Sequence, residues 1–152
     1  MTTYSQNATA YAARCKPETL RDWRVRGFFK DLGERKGKGH IFTLSDVARI
    51  AVAAFIARNG ASLREAFEII GERGREIDAV VAGERKTLGA DYYLSFVVNP
   101  DCSFPESITN APVSNIEFDT DPTAVLQMNV SRLLRSVLER LDTYEANDAP
   151  VA

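Results

Sequence analysis

The sequence predicts a mainly α chain: a small helical unit bearing a basic hairpin over residues 1–77, then a smaller α+β segment over residues 78–152 that ends in an amphipathic helix. Three observations predict it. Capping residues stand repeatedly before apolar residues spaced three and four apart. A basic, glycine-rich run from Lys30 to His40 interrupts that pattern in the first half. In the second half, aromatic and β-branched residues from Tyr92 to Val98 replace it with the composition of a strand.

Taken in order, Ser5 can cap a short helix through Ala13, with Ala8, Tyr11 and Ala12 forming one stripe. Pro17 stands where a helix favours its first residue, Glu18 suits the positive end of the dipole, and Gly27 supplies a stop, so a second helix is expected over Pro17 to Arg26. Leu20 and Trp23 mark its packing face. Arg21 and Arg24 are each displaced from them by one position, about 100° around the axis. The run KDLGERKGKGH then reads as a hairpin loop leading into a strand at Ile41 and Phe42. Thr43 and Asp46 form a capping pattern before Val47, Ile50, Ala51 and Ala54, giving a third helix to about Asn59. Ser62 and Glu65 repeat the pattern before Leu63, Ala66, Phe67 and Ile70, giving a fourth to about Ile77.

Farther on, AGERKTLGAD reads as a polar loop, Tyr92 to Val98 as a strand and Ser114 to Phe118 as a second strand. Asp121 as cap and Pro122 as first residue open a last helix to about Tyr144. Its apolar residues Leu126, Val130, Leu133, Val137, Leu141 and Tyr144 make a seam suited to a second copy of the chain, with Val130, Leu133, Val137 and Leu141 as the dimerisation residues. Leu134 and Leu138 broaden the stripe, so packing on its own domain is the alternative.

Composition narrows the function classes. An apolar share of 45% with 26% charged residues is that of a globular protein able to bury a core. No apolar run approaches the roughly 18 to 20 residues of a membrane span, and MTTYSQNATA has neither a basic segment nor an apolar signal core, so a cytoplasmic location is expected. Cys15 and Cys102 lie far apart without Cys or His neighbours at ligand spacing, which points to neither a metal site nor a disulfide framework. No cofactor is expected. With a single histidine and no acid-base pair or nucleophile with a base standing out, an enzyme is the least expected class. The net charge of −2 hides an uneven distribution: residues 1–75 hold 14 Lys and Arg against 8 Asp and Glu, a surplus of six positive charges, while residues 76–152 hold 5 against 13. The first half is the candidate for a polyanion.

Three segments then carry a resemblance. PETLRDWRVRGFF is similar to the second helix and its exit in the MerR family of winged helix-turn-helix regulators, through Thr19, Arg21, Trp23, Gly27, Phe28 and Phe29. HIFTLSDVARI resembles that family's wing strand and the start of its third helix, and NGASLREAFEI the junction of the third and fourth. Together they span roughly residues 5–72. The resemblance implies a winged helix-turn-helix domain in a bacterial or phage transcription regulator, homodimeric and nucleoid-associated, with double-stranded DNA as its partner and RNA polymerase or a regulatory protein as a further one. It implies that the second helix enters the major groove, where Arg reads guanine edges, and that the wing lies on the backbone. The DNA-binding candidates are Lys16, Thr19, Arg21 and Arg24 on the helix and Arg35, Lys36, Lys38 and His40 on the wing. Asp22 stands where the family commonly carries an aromatic residue, and His40 where it carries an arginine. The alternatives are a protein-interaction adaptor and a phage excisionase-like architectural protein on the same fold. Trp23 is expected in the core.

Overall fold

The computed structural model describes residues 2–84, 91–99, 101, 106–109 and 124–148. In these the chain forms, in order, β1 (Thr3–Ser5), α1 (Gln6–Ala12), α2 (Pro17–Val25), β2 (Glu34–Lys36), β3 (Gly39–Thr43), α3 (Leu44–Arg58), α4 (Leu63–Glu72), α5 (Gly74–Glu84), β4 (Tyr93–Val98), β5 (Glu106–Thr109), β6 (Ala124–Asn129) and α6 (Val130–Asp148). The described residues are thus mainly helical, with two small antiparallel sheets ordered β1-β3-β2 and β5-β4-β6.

The caps read from the sequence organise the first half. Ser5 Oγ accepts from the Ala8 amide at 3.1 Å, starting α1. Pro17 and Glu18 occupy the first turn of α2, and Gly27, at φ +83°, turns the chain out of it after Arg26. Both capping boxes are formed, Thr43 with Asp46 and Ser62 with Glu65. Helix α3 buries residues all round, among them Val47, Ile50, Ala51, Ala54 and Ile56, and is the central rod of the core.

Aromatic rings tie α2, its exit and the hairpin to α4. Trp23 is buried, as expected, edge-on to Phe67 of α4 at 5.8 Å between ring centroids. Phe28 stacks on Phe67 at 5.7 Å, and Phe29 packs against both Phe67 and Phe42 of β3. Gly33, just before β2, is required twice over. Its φ is +78°, and a Cβ there would lie 2.6 Å from Phe42 Cε1. Gly33→Ala should therefore lower unfolding free energy by about 2–4 kcal/mol, the sum of left-handed strain and overpacking. A urea titration reads this directly, and an unchanged midpoint would show that the hairpin is not keyed to the core at this point.

Two expectations on element boundaries are corrected. The fourth helix does not continue to Ile77: α4 ends at Glu72 and α5 restarts at Gly74. The reason is tertiary. The break turns Ile77 into the core, where it is fully buried, and brings Asp78 onto Arg49 of α3, with Arg49 Nη2 donating to Asp78 Oδ2 at 2.6 Å and Ser45 Oγ donating to Asp78 Oδ1. Gly74 admits this approach, because a Cβ would meet the Arg49 guanidinium at 2.8 Å.

The last helix also starts later than expected. Residues 124–129, read as its first turns, form β6, which pairs antiparallel with β4 through Phe96↔Leu126 and Leu94↔Met128. Helix α6 begins at Val130, and Asn129 Oδ1 accepts the Arg132 amide at 2.9 Å in the capping role assigned to Asp121. Asp121 and Pro122, like the strand expected at Ser114 to Phe118 and like Cys102, lie outside the described residues. The strand at Tyr92 to Val98 is present as β4. Asp91 fixes the entry to β4 beside α6, accepting from Arg135 at 3.1 and 3.3 Å and from Asn129 Nδ2 at 2.8 Å.

The residues of the expected dimer seam pack within the chain itself, the alternative that the sequence left open. Val130, Val137 and Leu141 are buried within the single chain, and Leu133 is half-buried against the same core. Their face of α6 is taken by the N-terminal helices, since α6 packs on α1, α3 and α5. Arg140 Nε donates to the Tyr11 carbonyl at 2.8 Å with its guanidinium 3.9 Å over the Tyr11 ring, and Tyr144 packs on Tyr11 at 5.7 Å. One continuous apolar cluster accordingly runs from Ala8 to Leu141.

Candidate nucleic-acid interface

The pairing of β1 with β3 sets Ser5 opposite Ile41, which holds the start of α1 beside the hairpin. On the other edge of β3, Arg35 lies directly opposite His40 and Lys36 opposite Gly39. Cross-strand partners share a sheet face and successive residues alternate, so Arg35 and His40 project together on one side. Glu34 and Lys36 belong to the other. The hairpin turns through Gly37 and Lys38, with Gly37 at φ +61°, the left-handed conformation that a two-residue turn asks of its first residue.

The face carrying Arg35 and His40 looks onto α2. Between them lies an open cleft of about 490 Å³ lined by Ser5, Gln6, Asn7, Arg21, Arg24, Arg35, Lys38, Gly39 and His40. Four lining side chains carry fixed positive charge, His40 is a fifth basic group, and among the described residues no carboxylate lines the cleft. Arg24 is half-buried and held in place, its Nη1 donating to Gln6 Oε1 at 2.7 Å while Gln6 Nε2 donates to the Pro17 carbonyl at 3.1 Å. Arg21 is exposed on the outward side of α2. His40 has its pKa lowered from the ordinary histidine value by burial first and then by the charges of Arg24 and Arg35. The shift favours the neutral imidazole in the free protein.

Five of the eight DNA-binding candidates, Arg21, Arg24, Arg35, Lys38 and His40, thus meet in one place. The other three do not line it. Lys36 is exposed on the opposite face of the hairpin, while Lys16 and Thr19 lie at the N-terminal end of α2, Lys16 exposed and Thr19 half-buried. The sequence reading missed Gln6 and Asn7. Nothing in MTTYSQNATA marks them, because it is the pairing of β1 with β3 that delivers them to the cleft. Asp22, the carboxylate nearest the basic residues of α2 in sequence, is paired with Arg26 at 3.5 Å, and both are exposed.

Among the described residues no group of three or more His, Cys, Asp or Glu could hold a metal ion, and no helix is long and apolar enough to cross a membrane. Burial pushes the Cys15 thiol up to about 11, with Arg58 opposing, so it is protonated and unreactive at neutral pH.

Compared with protein-family models and with curated proteins, the chain matches none. The resemblance to winged helix-turn-helix regulators therefore rests on the three sequence segments quoted above.

Proposed function

We propose that this protein is a sequence-specific duplex-DNA-binding transcription regulator of winged helix-turn-helix type, with α2 laid in the major groove and the β2-β3 hairpin resting on the sugar-phosphate backbone. The observation that carries this reading is the convergence of Arg21, Arg24, Arg35, Lys38 and His40 on one open cleft with no carboxylate among the described residues of its lining. Like charges gathered from two separate elements repel one another and cost stability. A polyanion offsets that cost by filling the space between them. The hairpin end has little bulk at Gly37 and Gly39, where a phosphate can come close to the backbone. Binding as a homodimer to two half-sites, the usual economy of domains of this size, belongs to the same proposal.

Fluorescence anisotropy with a random-sequence duplex of about 30 base pairs at about 50 mM salt tests it. Saturable binding that weakens steeply with salt is expected. An adaptor using the same fold predicts no saturable binding even there, and that result would overturn the proposal.

The same titration carries a pH signature. Burial, Arg24 and Arg35 lower the His40 pKa in the free protein, whereas a phosphate seated beside it would raise it, so binding should take up a proton. Affinity should rise as pH falls from about 8 to about 5.5, by at most about tenfold for each unit by which the pKa rises. His40→Gln should flatten the profile. An equally steep profile in that variant would place the proton elsewhere.

A further inference from the structure

Among the described residues Val25 stands out as an exposed large hydrophobic side chain, 79% accessible. It sits in the last turn of α2, four residues after Arg21, so the two side chains lie about 40° apart around the helix and one turn apart along it. Leu20 and Trp23, the residues that anchor α2 to the core, lie on the opposite side. Folding does not account for Val25. A β-branched residue is a mediocre helix former, and a side chain so exposed buries too little apolar surface to offset the loss. Its surroundings are Arg21, Arg24 and the Asp22–Arg26 pair.

We infer that Val25 reads a thymine methyl group in the major groove, beside a guanine read by Arg21, so that the preferred site carries a thymine at a fixed short distance from that guanine. The inference rests on the DNA-binding reading above and specifies the sequence it prefers. The thymine C5-methyl is the one apolar group that base edges present in the major groove. A small, rigid aliphatic side chain projecting from a helix among arginines is complementary to it, and offers nothing to a phosphate. Arg21 and Val25 are separated by about 6 Å along the helix axis, and base pairs stack about 3.4 Å apart. A helix lying along the groove therefore sets the thymine within about two base pairs of the guanine.

The test uses the full chain and the duplex of highest affinity recovered from a random pool. That duplex is resynthesised with deoxyuridine replacing thymidine at one position at a time, which removes only the methyl group. At one thymine near a guanine, wild-type binding should weaken about four-fold, the worth of one buried methyl group. Val25→Ser should bind the thymidine and deoxyuridine duplexes alike, with the salt slope of the wild type. Its melting curve should also be that of the wild type, since Val25 is exposed. If no single deoxyuridine matters to the wild type, or if Val25→Ser still distinguishes the two duplexes, the inference is overturned while DNA binding stands. A Val25→Ser variant that keeps the distinction but changes its sedimentation would assign Val25 to a protein contact instead. If the wild type recovers no duplex at all, the DNA-binding reading itself fails and the inference falls with it.

Discussion

Val137→Asp and Leu141→Asp are each expected to unfold the chain rather than to separate two folded copies of it. Both side chains are about 1% exposed in the single chain, on the face of α6 that packs against α1, α3 and α5. An uncompensated carboxylate there costs several kcal/mol even after relaxation, and the lost packing adds about 2–5 kcal/mol. Against a total stability of about 5–15 kcal/mol, either variant should lose most of its cooperative thermal transition. Leu141→Ala, which removes volume without adding charge, should stay folded and lose about 2–5 kcal/mol in a urea titration. If instead the Asp variants keep the wild-type melting curve and sediment as a smaller species, α6 is an intermolecular element and its placement in the core is wrong.

The misreading of α6 shows where the sequence was ambiguous. Leu126 falls at helical spacing from Val130, and Asp121-Pro122 has the form of a helix start, so a local reading extends the seam backward. What places residues 124–129 in a strand is the need of β4 for a partner, and β4 lies some 30 residues earlier in the chain. Alternation over so short a run does not separate the two conformations; pairing does. The register through Leu94↔Met128 turns Met128 into the core and leaves Gln127 exposed. The break between α4 and α5 is of the same kind. Helical spacing runs smoothly through Ile70 and Ile77, and it is tertiary contacts, the burial of Ile77 and the pairing of Asp78 with Arg49, that accompany the turn at Arg73 and Gly74.

By contrast, the elements that carry the candidate site were legible because their signals are local. Ser5, Pro17, Thr43 and Ser62 act within one turn of themselves. Gly27 and Gly37 have the positive φ expected at a helix exit and a tight hairpin. The charges of Arg21, Arg24, Arg35, Lys38 and His40 could be counted, and the order of elements implied that they belong near one another. The division of labour among them could not be read, since Arg21 and Arg24 occupy equivalent places in the pattern. Both line the cleft, and their difference comes from Gln6, which holds the half-buried Arg24 in place while the Arg21 side chain is exposed.

That difference yields the largest expected effects on binding. If α2 lies in the major groove as proposed, Arg21→Ala should cost about 1–3 kcal/mol at the preferred site and little on random duplex, because Arg21 would bind a guanine edge through two hydrogen bonds. Specificity falls while the electrostatic component persists. Arg24→Ala should act differently. In the same proposal Arg24, held by Gln6, would neutralise a phosphate, so its loss should weaken binding to every sequence alike and shallow the slope of log affinity against log salt by about one. Lys38→Ala should do the same from the hairpin side, as should Lys36→Ala if the opposite face of the hairpin also meets the backbone. Gln6→Ala separates geometry from charge. It leaves every cation in place but frees Arg24, so affinity should drop with the salt slope unchanged, since the number of phosphates neutralised is the same. Should Arg21→Ala instead weaken preferred and random duplexes equally, α2 does not read bases from its outward face, and the assignment of α2 to the major groove fails with it.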